Sequence, residues 1–123
     1  MKLLIVEDSV PVRECMVEYL TDMSNVECLR IAGTLREGLA SMRQDQPDLV
    51  ILDVHLPDGN SIDSIGSCKL AAPNMRIAMF TSDVTESCRA RSLREGADWY
   101  FDKFHEFDKV LGVVRGMDCA KAD

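Results

Sequence analysis

The sequence predicts an α/β domain, a doubly wound parallel sheet of five strands with helices on both faces. Three observations predict it. Strand-like and helix-like patterns alternate five times along the chain, and such alternation implies parallel strands joined by helical crossovers. The runs Leu3-Leu4-Ile5-Val6 and Leu49-Val50-Ile51-Leu52 are continuously apolar, as in strands buried on both faces. Both runs end on carboxylates, Glu7-Asp8 and Asp53. Open α/β sheets place their active crevices outside the carboxyl ends of their strands.

The strands are expected over residues 2–6, 26–31, 48–52, 76–80 and 98–101. In the first helix Val12, Cys15, Met16, Tyr19, Leu20 and Met23 recur at spacings of three and four. Ser9 can cap it, and Pro11 suits the first turn, where a missing N–H costs nothing. The second helix opens on the capping box Thr34-Leu35-Arg36-Glu37 and continues through Leu39 and Met42. The third carries Ile62, Ile65 and Leu70 and stops before Pro73. The fourth opens near the box-like Asp83-Val84-Thr85-Glu86 and stops at Gly96, a good residue just past a helix end. The fifth has Phe107, Val110, Leu111, Val114 and Met117 on one stripe.

Right-handed crossovers leave few topologies, and strand order 2-1-3-4-5 is favoured. It sets strands 1 and 3 side by side and brings Glu7, Asp8 and Asp53 together. Like charges at that range repel by roughly 4 kcal/mol per close pair at intermediate dielectric. A hard divalent cation with oxygen ligands is the simplest way to keep all three ionised.

At 123 residues and 46% apolar, residues 1–123 read as a single domain with one core. There is no repeat, linker or low-complexity stretch. A net charge of −7 argues against direct nucleic-acid binding by this domain, which rests on Lys and Arg contacts to phosphates. No apolar run is long enough to span a membrane. The first strand begins at residue 2, leaving no room for a signal peptide, so a cytoplasmic location is expected. Cys15, Cys28, Cys68, Cys88 and Cys119 are scattered and odd in number. None forms a Cys-x-x-Cys pair, which argues against zinc ligation, and reduced thiols acting as small apolar residues are expected.

Five signals in order carry a family resemblance over the whole chain. They are Glu7-Asp8 after strand 1, Asp53 opening Asp53-Val54-His55-Leu56-Pro57-Asp58-Gly59, Thr81 ending strand 4, Gly96-Ala97-Asp98 before strand 5, and Lys103 closing Tyr100-Phe101-Asp102-Lys103. The chain resembles a receiver domain of two-component response regulators, of the chemotaxis-regulator type with a flavodoxin-like fold. The resemblance implies a phosphoprotein rather than an enzyme with turnover, limited to self-phosphorylation from a donor and self-dephosphorylation. A histidine kinase or histidine phosphotransfer protein would supply the phosphoryl group, and Asp53 would accept it as an aspartyl phosphate. Glu7, Asp8, Asp53 and the backbone carbonyl of His55 would hold Mg²⁺. Lys103 would pair with one phosphoryl oxygen and Thr81 would hydrogen-bond another. On phosphorylation Thr81 would move toward the phosphoryl group and Tyr100 would rotate inward behind it. The reshaped face would engage a downstream output domain or protein, or a second copy in a homodimer. That face carries Arg89, Arg91, Arg94 and Lys109 beside Glu95 and Asp108.

Three departures from the family pattern involve four positions. Phe104 replaces the proline that usually follows the lysine, and a cis peptide without proline costs roughly 2.5–4 kcal/mol. His55 and Asp83 lie two residues beyond the acceptor and the hydroxyl, on the water side of the phosphoryl group. Ser82 stands where a smaller residue is common. Trp99 and Phe101 alternate with Tyr100 and read as packing residues. The side chains of His55 and His105 read as solvated. Two other classes fit less well. A haloacid-dehalogenase-like phosphatase also forms an aspartyl phosphate, but its Asp-x-Asp is absent, since residues 7 and 9 are Glu and Ser. A pseudo-receiver that only binds a partner would have no use for the full acidic set.

Overall fold

Two aliphatic strands at the centre set the plan of the molecule. In the computed structural model, which describes the backbone of residues 1–121 and the side chains of residues 1–117, β1 (Lys2–Val6) and β3 (Leu49–Leu52) lie side by side in parallel. Every β3 residue is buried, as is all of β1 after Lys2. A continuous apolar strand gains from burial on both faces, at about 1.5–3 kcal/mol per large side chain, and only a central position supplies both.

The remaining strands follow in the expected order. β2 (Cys28–Ala32) pairs with β1, β6 (Arg76–Thr81) with β3, and β7 (Trp99–Asp102) with β6, giving β2-β1-β3-β6-β7, all parallel. A two-stranded antiparallel hairpin, β4 (His55–Leu56) with β5 (Gly59–Asn60), stands apart from this sheet. It was not foreseen, because two-residue strands are too short to show a period.

Helices cover both faces. α1 (Val10–Thr21) and α5 (Phe107–Lys121) pack Met16, Leu20, Val110 and Val114 on Leu3, Ile5, Ile51 and Phe80. α2 (Leu35–Gln44), α3 (Ile62–Ala71) and α4 (Glu86–Glu95) cover the other face, where Val6, Leu52, Met79 and Tyr100 meet Ile62 and Ile65. α2 approaches β1 closely at Gly38, where a Cβ would lie 2.8 Å from Val6 Cγ2. Gly96 ends α4 with φ of 123°, a backbone that glycine adopts without steric cost. Among the described residues no helix is long and apolar enough to cross a membrane.

Several local expectations are corrected. β2 starts two residues late, at Cys28, because an edge strand with one half-buried face lacks the signal of β1 and β3. Leu70 is 85% exposed, since Ile62, Ile65 and Cys68 carry the buried stripe of α3 and Leu70 faces away from it. Cys15 and Tyr19 lie on the exposed flank of α1, with Tyr19 edge-on to Phe107 at 5.6 Å. Thr85 caps α4 by accepting from Cys88 N, whereas Asp83 binds the Thr85 N–H and hydroxyl just ahead of the helix. Ser9 and Thr34 cap α1 and α2 as expected. Trp99 and Phe101 pack on the core of the α1/α5 face. Cys15, Cys28, Cys68 and Cys88 are free thiols, and the Cys119 side chain lies outside the described residues.

Candidate functional site

The register of the sheet brings the acidic residues together. Val6 stands opposite Leu52, so both chains leave the sheet at one level and Asp53 N–H donates to the Val6 carbonyl at 3.1 Å. The Ser61 hydroxyl, fully buried, donates to the Asp53 carbonyl at 2.6 Å and fixes the turn after β3. Glu7, Asp8 and Asp53 each offer a carboxylate oxygen within 4.8 Å of the others. Glu7 and Asp53 are buried, and Asp8 opens to solvent.

Lys103 enters from the end of β7. Thr81 pairs with Asp102 in the sheet, and Lys103 N–H donates to the Thr81 carbonyl at 2.9 Å. Its ammonium lies 2.6 Å from Asp53 Oδ2 and 2.7 Å from Glu7 Oε1. The Phe104 departure does not prevent this reach. Among the described residues there is no cis peptide, and the exposed Phe104 donates its N–H to Asp102 at 2.9 Å.

Charge does not balance in this pocket. Three carboxylates face one ammonium, which leaves two negative charges when all are ionised. Burial pushes the Glu7 carboxyl above its usual range, against the Lys103 and Ser9 hydrogen bonds, and the Asp53 charge adds to the rise. Burial alone would lower the Lys103 value, but the hydrogen bonds and charges of Asp53 and Glu7 outweigh it and raise it. A hard divalent cation matches both the missing charge and the oxygen-only donor set.

Thr81 is buried at the end of β6, and its hydroxyl accepts from Asp83 N–H at 3.2 Å. Tyr100 is already turned inward. It is buried and its hydroxyl donates to the Asp83 carbonyl, while the Arg89 guanidinium lies 6.0 Å from its ring. Burial pushes its phenol well up, with Cys88 and Asp83 adding to the effect. This structure thus already holds the inward position that the resemblance implies for Tyr100 after phosphorylation. His55 belongs to β4, not to a free loop, and its Nε2 lies 2.7 Å from Asp83 Oδ2. The two departures thus contact each other. His105 is exposed but pairs with Asp102 at 2.8 Å. On the α4 and α5 surface Arg91 pairs with Asp63 and Lys109 with Glu106.

Spacing missed Asp58. From the tip of the β4–β5 hairpin its carboxylate accepts from Leu35 N–H at 2.8 Å and Arg36 N–H at 2.9 Å. It caps α2 from outside and ties the segment after Asp53 to that helix. The Arg36 and Leu35 N–H groups hold its carboxyl below the usual range. A depressed carboxyl contributes stability above its unfolded value of 3.8 that is lost as pH falls through the lower folded value. In Asp58→Asn the melting temperature is therefore expected to fall less steeply with acid below pH 3.8 than in the wild type. Parallel acid slopes would show that the cap does not couple to protons.

The sequence model described as "response regulator receiver domain" matches residues 3–115. The DNA-binding transcriptional activator DevR/DosR of Mycobacterium tuberculosis is 28% identical over 121 residues, covering 98% of this chain and 52% of that protein. The chain spans about half the length of the curated relatives it matches. Among solved structures, a CheY-like receiver domain protein from Methanospirillum hungatei superposes with a TM-score of 0.87 at 24% identity, covering 98% of this chain and 95% of that one. The Mn²⁺-bound form of response regulator Rcp1 does so with 0.79 at 20% identity, covering 94% and 90%. At these identities the two structures speak to the fold alone.

Proposed function

This chain belongs to the response regulator receiver domain family of two-component signalling, and on that footing we propose that it accepts a phosphoryl group on Asp53. The observation that carries this reading is the buried pair of ion bridges from Lys103 to Asp53 and Glu7, with Asp8 at the open side. Residues 1–123 would act as one receiver domain. Family membership sets aside the haloacid-dehalogenase-like phosphatase.

The donor would be a phosphohistidine on a histidine kinase or phosphotransfer protein. An Asp53 oxygen attacks phosphorus, the P–N bond breaks, and the imidazole nitrogen keeps the electron pair and takes a proton. Lys103 follows the charge from the carboxylate to a phosphoryl oxygen, a small movement for a flexible ammonium already in contact. The Thr81 hydroxyl, which accepts from Asp83 N–H, would donate its own proton to a second oxygen. This is positioning and charge neutralisation, which is most of what phosphoryl transfer requires.

Glu7, Asp8, Asp53 and the His55 carbonyl would hold Mg²⁺. When bound it supplies positive charge to the phosphoryl oxygens. The Mn²⁺-bound Rcp1 structure favours a divalent ion in this fold. The downstream partner would be an output domain or protein, or a second copy meeting the α4–β7–α5 face.

Uptake of one phosphoryl group from acetyl phosphate tests the proposal. It is expected with Mg²⁺ and absent after chelation, and equal uptake in both conditions would contradict it. A pseudo-receiver would show no uptake at all. Mg²⁺ is also expected to raise the melting temperature by mass action, and Asp8→Ala is expected to remove that rise. A rise that survives Asp8→Ala would place the ion elsewhere.

A further inference from the structure

A second group of candidate ligands lies outside the acidic pocket. His55 on β4, Asp83 in the turn after β6 and Cys88 in the first turn of α4 each bring one ligand atom within 4.8 Å of the other two. We propose that His55, Asp83 and Cys88 form a binding site for a zinc-class divalent cation, distinct from the carboxylate pocket at Asp53.

The hydrogen bonds show where the ion would sit. His55 Nε2 lies 2.7 Å and Cys88 Sγ 3.1 Å from the same oxygen, Asp83 Oδ2. Two donors converge on one carboxylate oxygen. A cation replaces the two protons: ligation sends the Cys88 proton to solvent, and the neutral imidazole carries its proton on Nδ1 so that Nε2 is free to bind the ion. Tetrahedral zinc with bonds of about 2.0–2.3 Å sets its ligand atoms roughly 3.3–3.6 Å apart. Each contact then opens by only about half an ångström, which side-chain rotation supplies.

The rest of Asp83 is already arranged for this role. Its other oxygen, Oδ1, accepts from the Thr85 hydroxyl at 2.7 Å and the Thr85 N–H at 3.1 Å. These bonds orient the carboxylate and leave Oδ2 pointing at His55 and Cys88, as outer partners do for metal ligands. One thiolate and one carboxylate neutralise a 2+ ion. His55 is 60% exposed along its side chain, so the ion has an entry path and a fourth position open to water. The donor set sorts the two sites. Nitrogen and sulfur select zinc, copper or cobalt over magnesium, whereas the three carboxylates suit magnesium.

Spacing along the chain does not reveal this cluster, because its members come from three elements. A bound ion would clip β4 to the start of α4. Asp83 also holds the Tyr100 hydroxyl through its carbonyl, so the clip would fix the turn against which Tyr100 packs.

The test is a titration of the full chain with Co²⁺, followed by absorption spectroscopy. With excess Mg²⁺ filling the carboxylate pocket, one cobalt per chain is expected, with a thiolate-to-cobalt charge-transfer band that Zn²⁺ displaces and Mg²⁺ does not. Cys88→Ser is expected to lose the band and Cys15→Ser to keep it. His55→Ala, which removes a direct ligand at an exposed side chain, is expected to weaken zinc by more than the roughly tenfold lost with an outer partner, and to shrink the zinc-dependent rise in melting temperature accordingly. No band in the folded wild type, a band that survives Cys88→Ser, or a zinc affinity unchanged in His55→Ala would each overturn the proposal.

Discussion

Asp53→Asn is expected to abolish phosphoryl uptake, lowering it by at least about 10⁴-fold, the scale seen when a nucleophile is removed from a site that acts as a unit. The amide has the shape of the carboxylate, but its electrons are delocalised and it carries no charge for attack on phosphorus. The variant should fold. Asp53 shares Lys103 with Glu7, so the ammonium keeps the 2.7 Å bond to Glu7 after the change. One of the two buried like charges also disappears, which relieves Glu7 of a repulsion that raises its carboxyl value. The metal-free fold is therefore expected to be no less stable than the wild type, and loss of uptake cannot be assigned to unfolding. Radiolabel from acetyl phosphate measures the first effect and urea melts the second. Uptake at the wild-type rate would remove Asp53 from the mechanism.

Lys103→Ala is expected to destabilise the metal-free fold by about 3–5 kcal/mol, the usual cost of leaving buried charges without their partner. The group is well shielded: the side chains of Lys103, Glu7 and Asp53 are 9%, 3% and 6% exposed. Removing the ammonium leaves two buried carboxylates facing each other with Asp8 nearby. Mg²⁺ can replace the missing charge, so its stabilising effect should be larger in Lys103→Ala than in the wild type. At a concentration 100 times the dissociation constant the ion returns about 2.7 kcal/mol. Urea unfolding with and without Mg²⁺ reads both effects. A loss below about 1 kcal/mol would mean that the pair behaves as a solvated surface bridge.

Some of this architecture is legible in the sequence alone. β1 and β3 announce themselves as unbroken aliphatic runs because both faces are buried. Their adjacency then predicts the meeting of Glu7, Asp8 and Asp53. β2 departs from its expected bounds because one side of an edge strand is solvated and its residues carry mixed signals. Leu70 shows the limit of periodicity in a ten-residue helix, where a single apolar residue at the wrong angle looks like part of the stripe. The β4–β5 hairpin, the Asp58 cap on α2 and the His55–Asp83–Cys88 cluster depend on contacts between distant segments. No local pattern encodes them. Tyr100 is singled out by the family resemblance, three residues before Lys103, but which way its ring turns is set by the Asp83 carbonyl and the packing around it.

The acidic pocket, as proposed, takes a phosphoryl group onto one particular carboxylate. The most direct measurement is to treat the wild-type chain with acetyl phosphate and Mg²⁺, confirm a single phosphoryl increment by intact mass at neutral pH, and locate it by peptide mass analysis. The increment is expected on Asp53 alone. An increment found instead on His55, Ser82 or any other residue, or no increment while Mg²⁺ is bound, would contradict the account.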